Sequence, residues 1–510
     1  MLRRIAPLLL EGFTAGLVFL GVGWATGAQA AIPGADHLVL AVGSTMPNLD
    51  PHDVVGFPPK AVHIALFDTL TRFNNKMELE PALATSWHLV NDTTWEFKLR
   101  PGVKFNTGEE FDANAVKFTI ERLIRVNREA RSRNDSVVRA ESVDPLTVRI
   151  FTKAPDPLLL RNLTVMYIVP PKYIAQVGDA GFVRQPVGTG AYRFKQYQSG
   201  SFVELEAAPN SWRGSPRLKH ITIREITDAA VRTAALSTGE VDIAWNVPVD
   251  SVDSLRQAGF DIPNARLART FALILDPIRD TPVRDRRVRQ AIAYAIDKEG
   301  IVKNIMRGFG RVPDGQLVGP DAFGYHPSLK AYAYDPAKAK QLLREAGFPN
   351  GFTTTMATTA GVNPNDKQIG EALAGYLSQV GMTVEHKIVE FALYIDYVFK
   401  PTGRPPLFLY GPDYYPAMDP NFQILFFASS HQTQRYNNPR FDELFAQSRK
   451  EMDAKKRQEL LYRIAELMHE DLPVLPLVHM PLILGMNKRV QGFVPRPDQA
   501  IWYDAMSKAR

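Results

Sequence analysis

The residues best placed to do chemistry in this 510-residue chain lie in Leu407–Tyr415, LFLYGPDYY, where one carboxylate, Asp413, stands among aromatic side chains. The apolar run Leu407–Tyr410 reads as a buried strand, and Gly411-Pro412 turns the chain out of it. A carboxylate desolvated in such a place makes a charge-assisted hydrogen bond to an ammonium group, which is recognition chemistry. The same residues also allow a plainer role, with Asp413 capping the turn ahead of Pro416.

Catalytic spacings are absent. The chain has no Gly-x-Ser-x-Gly elbow, no Gly-x-x-x-x-Gly-Lys phosphate loop and no His-Glu-x-x-His zinc helix. Gly188-Thr189-Gly190 precedes a strand pattern, Ala191–Phe194, and so lacks the strand-then-helix setting of a phosphate cradle. The ten histidines are dispersed, with no pair three or four residues apart, and His431 reads as a surface or capping residue. There is no cysteine, which excludes disulfides, thiolate metal sites, iron–sulfur clusters and thiol catalysis. No enzyme activity, cofactor or metal is expected.

The elements that would position Asp413 alternate between strand-like and helix-like patterns, which indicates an α/β architecture. Trp95, Phe97 and Leu99 alternate with polar residues, as do Leu146, Val148 and Ile150. Asp112 is placed to cap a helix carrying Val116, Ile120, Leu123 and Ile124. Further on, Val288–Ile296, Asp335–Gly347, Ile369–Gly381 and Leu460–Pro473 each show helical stripes with capping or stopping residues. All four stripes read as core faces.

Bulk numbers agree with a multidomain globular chain. Hydrophobic residues make up 45% and charged residues 22%, an ordinary soluble balance. The net charge of +6 comes from 60 basic and 54 acidic side chains spread without a run of five like charges, so a nucleic-acid partner is not expected. At the N-terminus, Arg3-Arg4, the apolar Phe13–Trp24 and Ala28-Gln29-Ala30 form an export signal with cleavage expected after Ala30. Lacking a cysteine for lipid attachment, the exported chain is expected in the periplasm and not as a lipoprotein.

A series of motifs then resembles one family in order. They are Asn48–His52 (NLDPH), Leu66–Leu70 (LFDTL), the stretch 81–123, Pro186–Tyr192 (PVGTGAY), Gly239–Ile243 (GEVDI), Val283–Ile296 (VRDRRVRQAIAYAI), Tyr334–Ala339 and Tyr436–Asp442. Together they are similar to the family 5 extracellular solute-binding proteins, the periplasmic peptide-binding components of ABC transporters. The resemblance implies a type II periplasmic-binding-protein fold of cluster C, with two lobes, a hinge and an inserted extra domain. It implies a first lobe of about 31–69, 184–269 and 482–510, an inserted domain of about 70–183 and a second lobe of about 270–481. It also implies a monomer that hands a short peptide or peptide-like solute to ABC permease subunits in the inner membrane.

By the same resemblance, the acid matching Asp413 pairs with a peptide's α-ammonium, and Tyr410, Gly411 and Tyr414 line the ligand. The arginine that holds the ligand carboxylate in dipeptide-binding members falls opposite Ala360. Thr358, Thr359 and Asn363 are the polar groups left nearby, and Ser44, Thr45 and Met46 are candidates for the facing wall. The missing arginine leaves open a longer peptide, an amidated or opine-like solute or a cationic ligand; the alternative non-peptide solutes on the same scaffold are an opine, a sugar conjugate, a glutathione-like compound or a nickel chelate. A periplasmic hydrolase or chaperone-like protein is the reading from another class.

Overall fold

The computed structural model describes residues 34–53, 56–126, 134–433 and 435–510; the expected leader, 1–30, lies outside the described residues. Two long antiparallel strands, Asn264–Leu275 and Val474–Met486, form the centre of a ten-stranded mixed sheet. Every residue of Val474–Met486 is buried, as its nearly unbroken apolar sequence requires for a strand covered on both faces. Leu407–Tyr410, Thr353–Thr358 and Thr383–Ile388 extend the sheet on one side of the long pair. Ile243–Trp245, His37–Val42, His220–Glu225, Phe202–Ala207 and Tyr192–Gln198 extend it on the other.

The stretch 81–123 builds a separate four-stranded antiparallel sheet with Val137–Asp144 and Thr147–Thr152. Strand Thr94–Leu99 is central in it, and helix Ala113–Val126 starts where the Asp112 carboxylate accepts the Ala115 N–H at 3.0 Å. Phe97, Phe105, Phe111, Val116, Val148 and Ile150 fill its own hydrophobic core. Leu146, expected in the second strand, precedes it and is exposed.

The four helices of the second half form as their stripes and caps predict. Asp335 accepts the Lys338 N–H to open Pro336–Glu345, and Asp453 accepts the Lys456 N–H to open Ala454–Asp471. Arg289 is buried, and its guanidinium donates to the backbone oxygens of Asp471, Val283 and Arg284, closing carbonyls that would otherwise lack partners.

The NLDPH motif is a buried polar knot. Asp50 accepts Arg122 Nη1 at 3.1 Å and Nη2 at 2.5 Å, and Arg122 Nη1 also donates to His52 Nδ1 at 2.8 Å. That leaves His52 Nε2 to carry the proton it donates to the Tyr167 carbonyl at 2.9 Å, so the ring is neutral by geometry. Burial, with Arg122 adding to it, lowers the His52 pKa to about 4; burial lowers His63 to about 4 and His479 to about 3.

A pH prediction follows from these three rings. Their folded values lie below the ordinary histidine value, so the unfolded chain binds more protons between about pH 6.5 and 4. The contribution of these rings is therefore expected to be level above pH 6.5 and to fall as the pH drops, by up to about 1.4 kcal/mol per pH unit for each ring. Urea midpoints measured from pH 7.5 to 4.5 check this, and a flat profile would contradict it.

Candidate functional site

The strand register brings the carboxyl ends of both sheet halves to one place. Leu407–Tyr410 runs antiparallel to the long strand with Tyr410 opposite Ala272, and the chain continues until Asp413 bridges Arg269. From the other side, Trp245 lies opposite Leu484, and the next segment advances along the same strand as Val247 N–H donates to the Ile483 carbonyl. His37–Val42 runs parallel to Ile243–Trp245 and ends on the same side. Both halves thus point at the middle of the long pair, where Thr270 faces His479 and the register shifts twice. Ligands of α/β sheets bind at carboxyl ends of strands, and bulges collect beside functional sites.

Asp413 occupies this centre, and it is already paired. Arg269 Nε donates to one carboxylate oxygen at 2.7 Å and Nη2 to the other at 2.9 Å, a fork that matches the planar carboxylate. The third nitrogen, Nη1, reaches Asn363 Oδ1 at 3.4 Å. The Asp413 charge raises the Arg269 guanidinium above its ordinary value, against the opposing effect of burial. The side chains of the pair remain 32% and 37% exposed, in surroundings where Asn363, Tyr410 and Tyr414 are buried.

The other expected site residues divide. Gly411 lies against the pair: a Cβ there would sit 3.4 Å from Asn363 Oδ1 and 3.8 Å from Arg269 Cδ. Tyr410 is buried beneath the guanidinium of Arg435, 5.1 Å from the ring centre, and burial pushes its phenol up to about 12. Tyr414 points away into the scaffold, its hydroxyl donating to Asp321 Oδ1 at 3.2 Å.

Thr358 and Thr359 are buried, and both hydroxyls have partners within the protein. The Thr358 hydroxyl is engaged with His386 Nε2 at 2.7 Å, and the Thr359 hydroxyl donates to Asp366 at 2.7 Å. Asp366 also accepts the N–H groups of Gly361, Val362 and Asn363, and thereby shapes the loop that carries Asn363 to Arg269. Ser44 and Thr45 are exposed beyond the end of His37–Val42. Met46 is buried, its N–H donating to Glu225 Oε1 at 3.2 Å and its carbonyl accepting from the Tyr197 hydroxyl. His431 packs edge-on to Phe426, and its Nδ1 lies 2.9 Å from Thr433 Oγ1.

Sequence reasoning missed Arg269 and Arg435. Arg269 is the last charge before the apolar run Phe271–Leu275, which marks it as a strand entrance without naming a partner. Arg435 is fully buried among the rings of Phe408, Tyr410 and Phe426. Among those residues, no group of three or more His, Cys, Asp or Glu is arranged to hold a metal ion.

The family model described as bacterial extracellular solute-binding proteins, family 5 middle, matches residues 78–434. The chain belongs to this family. Its relatives include the glutathione-binding protein GsiB of Pectobacterium atrosepticum, 32% identical over 94% of this chain and 96% of that one. Among solved structures, HbpA2 of Haemophilus parasuis superposes with a TM-score of 0.82 at 23% identity, over 93% of this chain and 100% of the other. The periplasmic binding protein DppA of Helicobacter pylori, in complex with the peptide STSA, has a TM-score of 0.75 at 25% identity, over 93% and 98%. The α/β fold is that of the periplasmic binding proteins, and solute-binding proteins of this family serve ABC importers. No described helix is long and apolar enough to cross a membrane.

Proposed function

We propose that this family 5 solute-binding protein captures a short peptide or peptide-like solute at Asp413 and delivers it to ABC permease subunits in the inner membrane, acting as a monomer after export. The observation that carries the reading is a partly exposed carboxylate held at the point where the strand ends of both sheet halves converge. In this reading residues 31–69, 184–269 and 482–510 form one lobe with 70–183 inserted, and 270–481 form the other. The long strands crossing between them are the hinge, and closure is driven by contacts the ligand makes only in the closed form. The relatives that bind glutathione and a short peptide support peptide-like chemistry over a sugar conjugate.

Thermal unfolding in the presence of short peptides, glutathione, opines and sugars tests this, because a ligand that binds only the folded state raises the melting temperature. A rise with peptides or glutathione and none with sugars is expected; no rise with any peptide overturns the reading. Asp413→Asn is expected to weaken an amine-bearing ligand by roughly tenfold or more, about 1.4 kcal/mol, by calorimetry. Unchanged affinity would remove Asp413 from the site.

A further inference from the structure

We propose that Arg269 and Asp413 form one clamp for an α-amino-acid zwitterion, the ligand's ammonium going to Asp413 and the carboxylate on the same carbon going to Arg269. This rests on the carrier reading above and specifies which peptide-like solutes the site selects. Arg269 then supplies, from the long strand Asn264–Leu275, the carboxylate-binding cation that is absent at Ala360.

The backbone keeps the two charges together. Arg269 and Asp413 are bridge partners, Tyr414 N–H donates to the Ala268 carbonyl at 2.9 Å, and Thr270 N–H donates to the Pro412 carbonyl at 3.4 Å. A ligand reaching Asp413 therefore always meets Arg269 as well. An amine without a carboxylate would take Asp413 from Arg269 and leave a mostly buried guanidinium uncompensated. A carboxylate without an amine would strand Asp413 in the same way. Removing one member of a partly buried pair costs more as a closing site sheds its water, so either singly charged ligand is disfavoured. A zwitterion replaces one ion pair by two, and the pair acts as selection against the alternatives.

Geometry narrows the class further. In an ordinary α-linked peptide the free ammonium and free carboxylate sit at opposite ends of the chain, so the clamp engages only one of them. In a residue linked through its side-chain carboxyl, both groups remain on one carbon, matching two side chains that are themselves in contact.

The test is calorimetry on the mature protein with four probes. They are glutathione, its analogue without the α-carboxylate (γ-aminobutyryl-cysteinylglycine), its analogue without the α-ammonium (glutaryl-cysteinylglycine), and the α-linked isomer. Each of the last three is expected to bind roughly tenfold or more weakly than glutathione. Arg269→Met is expected to lose a similar factor for glutathione while binding the γ-aminobutyryl probe at least as tightly as the unmodified protein does, because no ion pair then has to be broken. Equal affinity for glutathione and the γ-aminobutyryl probe overturns the clamp, as does an equal loss for both in the variant. Binding of α-linked peptides with glutathione ignored overturns the clamp and leaves the carrier reading standing; no binding by any peptide removes the carrier reading itself. Should Arg269→Met fail to fold, the analogue series on the unmodified protein decides.

Discussion

Replacing Asp50 by alanine is expected to lower the unfolding free energy by about 3 kcal/mol or more. Arg122 has a fully buried side chain, and Asp50 takes two of its three guanidinium nitrogens. The substitution leaves that charge without its main partner, with Asp179 on Nε at 2.9 Å as the remaining carboxylate. The loss also removes the acceptor for the His52 N–H at 2.9 Å, which holds the turn. The urea midpoint should fall while the slope stays constant, since the same surface is exposed on unfolding. Converting both partners, Asp50→Leu with Arg122→Met, should recover much of the loss, because the penalty lies in the unpaired charge. A single-variant loss under about 1 kcal/mol would mean that Arg122 reaches water.

Gly190→Val is expected to cost about 3 kcal/mol or above, seen as low soluble yield and an early urea midpoint. A Cβ at this position would lie 2.2 Å from the Ala65 carbonyl oxygen and 2.5 Å from the Leu66 carbonyl carbon. Those atoms belong to the backbone of helix Pro59–Leu66, so no side-chain rotation relieves the overlap. The Gly190 N–H also donates to the Leu66 carbonyl at 2.9 Å, which locks the approach. Gly200 is the internal control: its φ of 74° favours glycine, yet nothing lies within 4 Å of a Cβ there. Gly200→Ala is expected to cost about 1–2 kcal/mol, from backbone strain alone. If the two variants behave alike, close packing at Gly190 is not what the GTG motif is for.

Much of the fold was legible because its signals are local. Asp335-Pro336 opening a helix, Gly381 stopping one, and a run such as Leu407–Tyr410 forming a buried strand depend on residues within a few positions of each other. Within the motifs, Gly190 makes a close backbone approach and Asp50 joins a buried polar knot. The site was only partly legible. Thr358 and Thr359 offered hydroxyls near the expected pocket, but hydroxyls buried in a fold must find partners, and His386 and Asp366 supply them. Nothing in their local sequence distinguishes a hydroxyl spent on the scaffold from one held for a ligand.

Sequence alone determined the family, the α/β order of elements, and Asp413 as the carboxylate to watch, since each follows from residue types at short spacing. The tertiary structure decided what that carboxylate faces. Arg269 lies 144 residues away along the chain, and only the antiparallel bridge between two strands sets its guanidinium on Asp413. A charge's chemistry is governed by its nearest opposite charge, and that neighbour is chosen by register across a sheet.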